Sequence, residues 1–104
     1  MKARIYKIWS PHTQLCYIGQ TTKLNVKQRL YEHISNYRRY YNQQKGNYRS
    51  SYFILDFPDT EIESLEEVEY ETKKQLLEHE RRWIDKTDSV NMVNRSNHRK
   101  IISL

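Results

Sequence analysis

At two places in this chain a polar residue and a Gln three positions later stand at the head of a run with helical hydrophobic spacing: Asn25 with Gln28, and Thr72 with Gln75. The first side chain of such a pair can accept from an orphan amide of the opening turn while the Gln reaches back, so each pair reads as a capping box. The first predicts a helix from Asn25 to about Tyr41, with Val26, Leu30, Ile34, Tyr37 and Tyr41 at helical spacing. The second predicts a helix running to about Lys86. Both must share one core, because dividing 104 residues between two cores leaves each half too small to hold without staples. The whole chain, 1–104, is therefore read as a single domain. Its lone cysteine, Cys16, excludes an internal disulfide framework and a multi-cysteine zinc site, as expected for a reducing compartment.

The segments between the helices read as strands and short connections. Ala3 to Trp9 is a strand-like run of Ile, Tyr and Trp, Ser10 to Gln14 supplies turn residues, and Leu15 to Gly19 is a second apolar run, together a hairpin. Ser50 to Phe57 reads as a brief amphipathic helix halted by Phe57-Pro58-Asp59. In Ile62 to Tyr70 the apolar Ile62, Val68 and Tyr70 fall at even spacing among acids, which predicts a half-buried strand. The expected fold class is α+β: a small three-stranded antiparallel sheet flanked by helices, in the order β-β-α-α-β-α.

Charge is divided along the chain. The formal net charge is +5, but residues 1–57 hold ten Lys and Arg against two acids, whereas seven acids between Asp59 and Glu71 occur without one Lys or Arg. A one-sided basic face, suited to a polyanion, is one reading; a solvated acidic strand with scattered basic residues is the other. Tyr37-Arg38-Arg39-Tyr40-Tyr41, with Tyr48-Arg49 beyond, interleaves aromatics with Arg as nucleic-acid surfaces do. The same pattern arises if Tyr37 and Tyr41 are core and the Arg residues are merely exposed.

Polar residues also fall where a core face is expected. With Leu76 at 0° and 100° per residue, Leu77, Trp83 and Ile84 define the buried arc of the last helix, and Glu80 lies inside it at 40°. Glu78, His79, Arg81, Arg82 and Asp85 are placed on the solvent side. An inward carboxylate must be paired, protonated or bound to a metal, since its desolvation otherwise costs several kcal/mol. On the first helix Arg29 and His33, four residues apart, edge the apolar arc. They are either a guanidinium and an imidazole arranged for phosphate and proton handling, or a surface Arg beside a half-buried His. His12, His33, His79 and His98 show no close His/Cys grouping for zinc. No Gly-rich phosphate loop, nucleophile elbow or HExxH motif occurs. No stretch resembles a signal peptide or a membrane span, so an intracellular setting, cytoplasm or nucleus, is expected.

Arg4-Ile5-Tyr6 in the first strand and Tyr17-Ile18-Gly19 in the second resemble, in sequence and spacing, the two signature triplets of the GIY-YIG nuclease family. The resemblance extends to Arg29-x-x-x-His33 on a helix, to Glu80 followed by Trp83-Ile84, and to an Asn after that helix. Asn94 fits that last position best and Asn91 competes for it. The sequence departs from the pattern at Arg4, where the family usually has Gly; strand geometry suits Arg there, and its charge could meet a phosphate.

The resemblance implies a metal-dependent endonuclease acting on DNA. Glu80 would hold one Mg²⁺ or Mn²⁺ and Arg29 would clamp the scissile phosphate. Tyr6 would help to activate the water, Tyr17 and His33 would share the proton network, and Asn94 would fix the architecture or the substrate. Arg4, Lys7, Arg38, Arg39 and Arg49 are the expected nucleic-acid contacts, with targeting supplied by the chain's own surface or by a partner protein. A free Tyr has a pKa near 10, so phenolate chemistry at Tyr6 requires positive charge from Arg29, Lys7 or the metal; otherwise Tyr6 orients the water by hydrogen bonding. The competing class is a noncatalytic nucleic-acid-binding or protein-interaction domain of the same fold.

Overall fold

The alternating run at the N-terminus becomes the central strand of the sheet. In the computed structural model, which describes residues 1–93, β1 (Lys2–Trp9) lies between β2 (Cys16–Thr21) and β3 (Glu61–Glu69), antiparallel to both. Its side chains alternate across the sheet. Ala3 and Ile5 join Cys16, Ile18, Val68, Leu76 and Ile84 on one face, while Tyr6 and Ile8 join Leu30, Ile54 and Val90 on the other. The sheet is thus covered on both sides, by α3 (Lys73–Lys86) on the first face and by α1 (Val26–Gln43) with the short α2 (Ser51–Leu55) on the second. The three-stranded α+β architecture agrees with the sequence reading, with a short α4 (Val90–Val93) added after α3.

One of the two expected caps is complete, while the other and the faces of β3 differ from expectation. The cap at Thr72 is a complete capping box, its hydroxyl taking the Gln75 N–H while Gln75 answers at the Thr72 N–H. At Asn25 only half is made: its side chain accepts from the Lys27 N–H at 2.9 Å, and the Gln28 N–H goes to the Asn25 carbonyl. In β3, Ile62 and Val68 do not share a face. Ile5 pairs with Glu66 and Tyr6 with Ser64, so Leu65 is a bulge residue. One extra residue reverses the alternation, sending Ile62 to the α1 side and Val68 and Tyr70 to the α3 side.

The buried arc of α3 is also rotated from the expected one. Leu77 is 46 % exposed, whereas His79 is half-buried, its Nδ1 3.2 Å from Glu66 Oε2. Glu66 also accepts from the Trp83 indole at 3.0 Å. Glu66 therefore faces α3 rather than water and draws His79 and Trp83 onto the sheet.

The outer edge of β2 is closed by the chain that follows α3. The Cys16 N–H donates to the Asp88 carbonyl at 2.9 Å. Asn91 supplies a side-chain substitute for a neighbouring strand: its Oδ1 accepts from the Ile18 N–H at 2.9 Å and its Nδ2 donates to the Ile18 carbonyl at 2.8 Å. A sheet edge with unpaired amides is thereby occupied. Among the described residues no helix is long and apolar enough to cross a membrane.

Candidate active site

Tyr6 and Gly19 are direct partners in the β1–β2 register. The Tyr6 side chain lies over the glycine so closely that a Cβ on Gly19 would collide with two of its ring carbons and its hydroxyl oxygen. A side chain at residue 19 would displace the tyrosine, which is the physical reason for Gly at the end of the second triplet.

From that position the Tyr6 hydroxyl reaches α1. Its oxygen is 2.8 Å from His33 Nε2, and His33 Nδ1 is 3.0 Å from Ser51 Oγ at the start of α2. His33 is 3 % exposed and Ser51 fully buried. Tyr17, on the neighbouring strand, packs its ring edge against His33 with centroids 5.4 Å apart and against Tyr6 at 6.3 Å. Two strand tyrosines, one helix histidine and one buried serine thus form a single contact group.

Burial sets the protonation of this group. It raises the Tyr6 pKa far above that of a free phenol; the Tyr17 and Glu80 charges add to the rise and the Arg29 guanidinium opposes it. Tyr17 is raised by burial and by Glu80, against Arg29 and Arg49. His33 is pushed down to about 4, by burial first and then by the charges of Arg29 and Arg49. At neutral pH both phenols keep their protons and the imidazole is uncharged. Lys7, on the α3 side of β1 and bound to Glu63 at 3.1 Å, contributes nothing to Tyr6. These side chains by themselves do not supply the charge that a phenolate needs, and with them alone Tyr6 is a phenol hydrogen-bonded to His33.

Arg29 is half-buried on α1, one turn before His33. Glu32 holds it at 3.2 Å and is itself bridged by Lys23 at 3.4 Å. Arg49 stands just before the Ser51 turn. Its side chain is neither hydrogen-bonded nor ion-paired among the described residues, yet its charge is felt at both His33 and Tyr17.

Glu80 completes the arrangement from α3. Its carboxylate is half-buried, and its charge acts on Tyr17 and Tyr6. It has no hydrogen bond or ion pair among the described residues, and burial raises its pKa against the weak opposing charge of Lys73. A carboxylate without a partner at a half-buried position fits a hard cation, which would offset the desolvation that no salt bridge among the described residues offsets here. Among the described residues no three His, Cys, Asp or Glu side chains gather to hold a metal. An ion here would have Glu80 as its protein ligand, with water and phosphate oxygens completing the shell.

Other sequence-predicted contacts are dispersed. Arg4 binds Glu67 on β3 at 3.1 Å and the Lys23 carbonyl at 3.4 Å, while Arg38 and Arg39 are exposed on α1. Asn94 lies outside the described residues; Asn91 is engaged at the β2 edge. Two contributors were not singled out in the sequence. Glu32 could have been found from its i+3 spacing to Arg29. Ser51 carries no local signal, since its partner is eighteen residues away.

Two strand tyrosines, an Arg–His helix face and a half-buried carboxylate are thus grouped around one sheet. A family model for the GIY-YIG catalytic domain matches residues 2–95, and the chain belongs to that family. Its members are generally endonucleases that act on DNA and use a divalent metal. No curated protein and no solved structure matches the chain.

Proposed function

We propose that this protein is a metal-dependent endonuclease that hydrolyses DNA phosphodiester bonds at the Tyr6–His33–Arg29–Glu80 site. The observation that carries the reading is Glu80, a half-buried carboxylate without a hydrogen bond or ion pair among the described residues, whose charge is felt at Tyr17 and Tyr6. A divalent cation held there would stabilise charge on the phosphate and on the leaving 3′ oxygen. Arg29, braced by Glu32, presents its planar guanidinium to the nonbridging oxygens of the scissile phosphate.

The tyrosines handle the water. Tyr6 stays a phenol, so it accepts a hydrogen bond from the attacking water while its own proton is directed to His33 Nε2. In that tautomer His33 Nδ1–H donates to Ser51, which fixes the ring. As the water attacks, its proton passes to Tyr6 and the Tyr6 proton to His33. Phosphate binding between Arg29 and Arg49 offsets the positive charge that depresses His33, which makes the imidazole more basic when substrate is present. Tyr17, neutral beside them, shapes the water pocket. Arg38, Arg39 and Arg49 supply phosphate contacts that are blind to sequence. Arg4 and Lys7 contribute less, because Glu67 and Glu63 already neutralise them.

Incubation of the purified protein with supercoiled plasmid tests the reading. Nicking with Mg²⁺ or Mn²⁺ and its abolition by EDTA are expected. DNA binding without cleavage in either metal would overturn the enzyme reading and leave a noncatalytic binding domain.

A further inference from the structure

The face of α1 that carries His33 continues toward the C-terminal end of the helix as tyrosine. With His33 as reference, Tyr37, Tyr40 and Tyr41 all lie within about 80° of it at 100° per residue. Their rings touch one another and two from the next segment: Tyr37–Tyr41 centroids are 4.8 Å apart, Tyr40–Tyr41 5.0 Å, Tyr40–Tyr48 5.9 Å and Tyr48–Tyr52 5.6 Å. Tyr52 is buried and anchors the group, and Tyr37 is tied by its hydroxyl to Asp56 at 2.6 Å. The outer members are open to solvent, Tyr41 at 47 % and Tyr48 at 49 % exposure. A core needs none of that exposed aromatic surface.

The charges around the cluster differ from those on the sheet. Lys2, Arg4, Lys7 and Lys23 are each bridged to a glutamate. Arg49, next to Tyr48 in the sequence, and Arg38, about 60° beyond Tyr41 around α1, have side chains without a hydrogen bond or ion pair among the described residues, and Asp56, the acid near the tyrosines, is engaged by Tyr37; Arg39 lies on the far side of the helix, by Tyr31, Ser35 and Asn42. Unpaired guanidinium groups beside exposed aromatic rings form a surface for a polyanion that carries flat apolar groups. Duplex DNA conceals its base faces within the stack; an unpaired strand presents them. The cluster is also continuous with the proposed site. Tyr41 lies twelve residues along α1 from Arg29, about 18 Å at 1.5 Å per residue, and Tyr52 adjoins Ser51, the partner of His33.

We propose that Tyr40, Tyr41 and Tyr48, with Arg38 and Arg49, form a stacking platform for an unpaired stretch of DNA next to the scissile bond. Substrates with a single-stranded branch or flap are then preferred to uninterrupted duplex. The inference rests on the DNA-cleavage reading above and adds the structural class of the substrate.

The test separates the two. Binding is measured by fluorescence anisotropy in EDTA, where no cleavage occurs, with a labelled oligothymidylate, a perfect duplex and the same duplex carrying a flap. Cleavage of the two duplex substrates is followed separately with Mg²⁺. The wild type should bind the oligothymidylate and the flap more tightly than duplex. Tyr41→Ser with Tyr48→Ser should lose five-fold or more of the affinity for both unpaired substrates, within the range for a stacked base, and change duplex binding by less than two-fold. Tyr41→Phe with Tyr48→Phe keeps the rings and should retain wild-type binding. If the double serine variant fails to fold, Tyr48→Ser alone, placed in the loop before α2, gives the same comparison. Equal affinity of wild type for duplex and flap, or an equal loss on both in the serine variant, overturns the platform even if plasmid is cut. Self-association that the serine substitutions abolish, with oligothymidylate binding unchanged, assigns the face to a second copy and also overturns it. Absence of cleavage with the binding preference intact defeats the nuclease reading alone.

Discussion

Tyr6 and Gly19 face each other across the β1–β2 ladder with no room for a single additional carbon between them. One residue of the second signature triplet therefore exists to seat a ring of the first, and that ring holds its hydroxyl 2.8 Å from His33. Gly19→Ala should force the ring aside, destabilise the protein by about 1–3 kcal/mol, and reduce cleavage by more than the lost folded fraction explains. Chemical denaturation with and without Tyr6→Leu checks the cause. In the Tyr6→Leu background the alanine should cost much less, because the colliding ring is gone. An unchanged cost would locate the strain elsewhere.

His33 links stability to pH. Its folded pKa, about 4, lies below the unfolded value near 6.5. Between those limits the unfolded chain binds the additional proton, so stability rises with pH through this window and is lost as pH falls from 6.5 toward 4. The contribution is on the order of 3 kcal/mol. His33→Gln should melt lower at pH 7 yet show a shallower fall in Tm between pH 7 and 4.5 than the wild type. Parallel curves would exclude His33 as the group responsible.

Arg29→Lys keeps a positive charge but loses the planar fork that can span two phosphate oxygens and the geometry that Glu32 braces. Cleavage should fall at least ten-fold while DNA binding changes by less than three-fold. Measuring both on one oligonucleotide separates the clamp from simple attraction. Full cleavage by the lysine variant would remove Arg29 from the site.

Glu80→Gln removes the charge that would hold a cation while preserving volume. Metal-dependent cleavage should drop by orders of magnitude, and DNA binding should persist or tighten. Melting in EDTA should stay level or rise, since the substitution takes an unpaired carboxylate out of a half-buried position. A folded and fully active Glu80→Gln protein would falsify the metal assignment.

The elements, and most residues of the candidate site, were legible in the sequence. Local patterns carry that information: the Thr72–Gln75 box, the alternation in β1, the helical spacing from Arg29 to His33, and the inward angle of Glu80. Each depends on residues within a few positions of one another, where backbone geometry converts spacing directly into direction. Contacts between segments distant in the chain set what spacing cannot encode. The bulge at Leu65 reversed the faces of β3, and Glu66 turned His79 and Trp83 toward the sheet. Asn91 closed the edge of β2, Ser51 bound His33 across eighteen residues, and Tyr6 came to rest on Gly19 through strand pairing. The protonation states were decided in the same way. A tyrosine or histidine in a sequence carries only its ordinary pKa, and the burial that keeps Tyr6 a phenol and His33 neutral arises when a sheet and two helices exclude water from both sides.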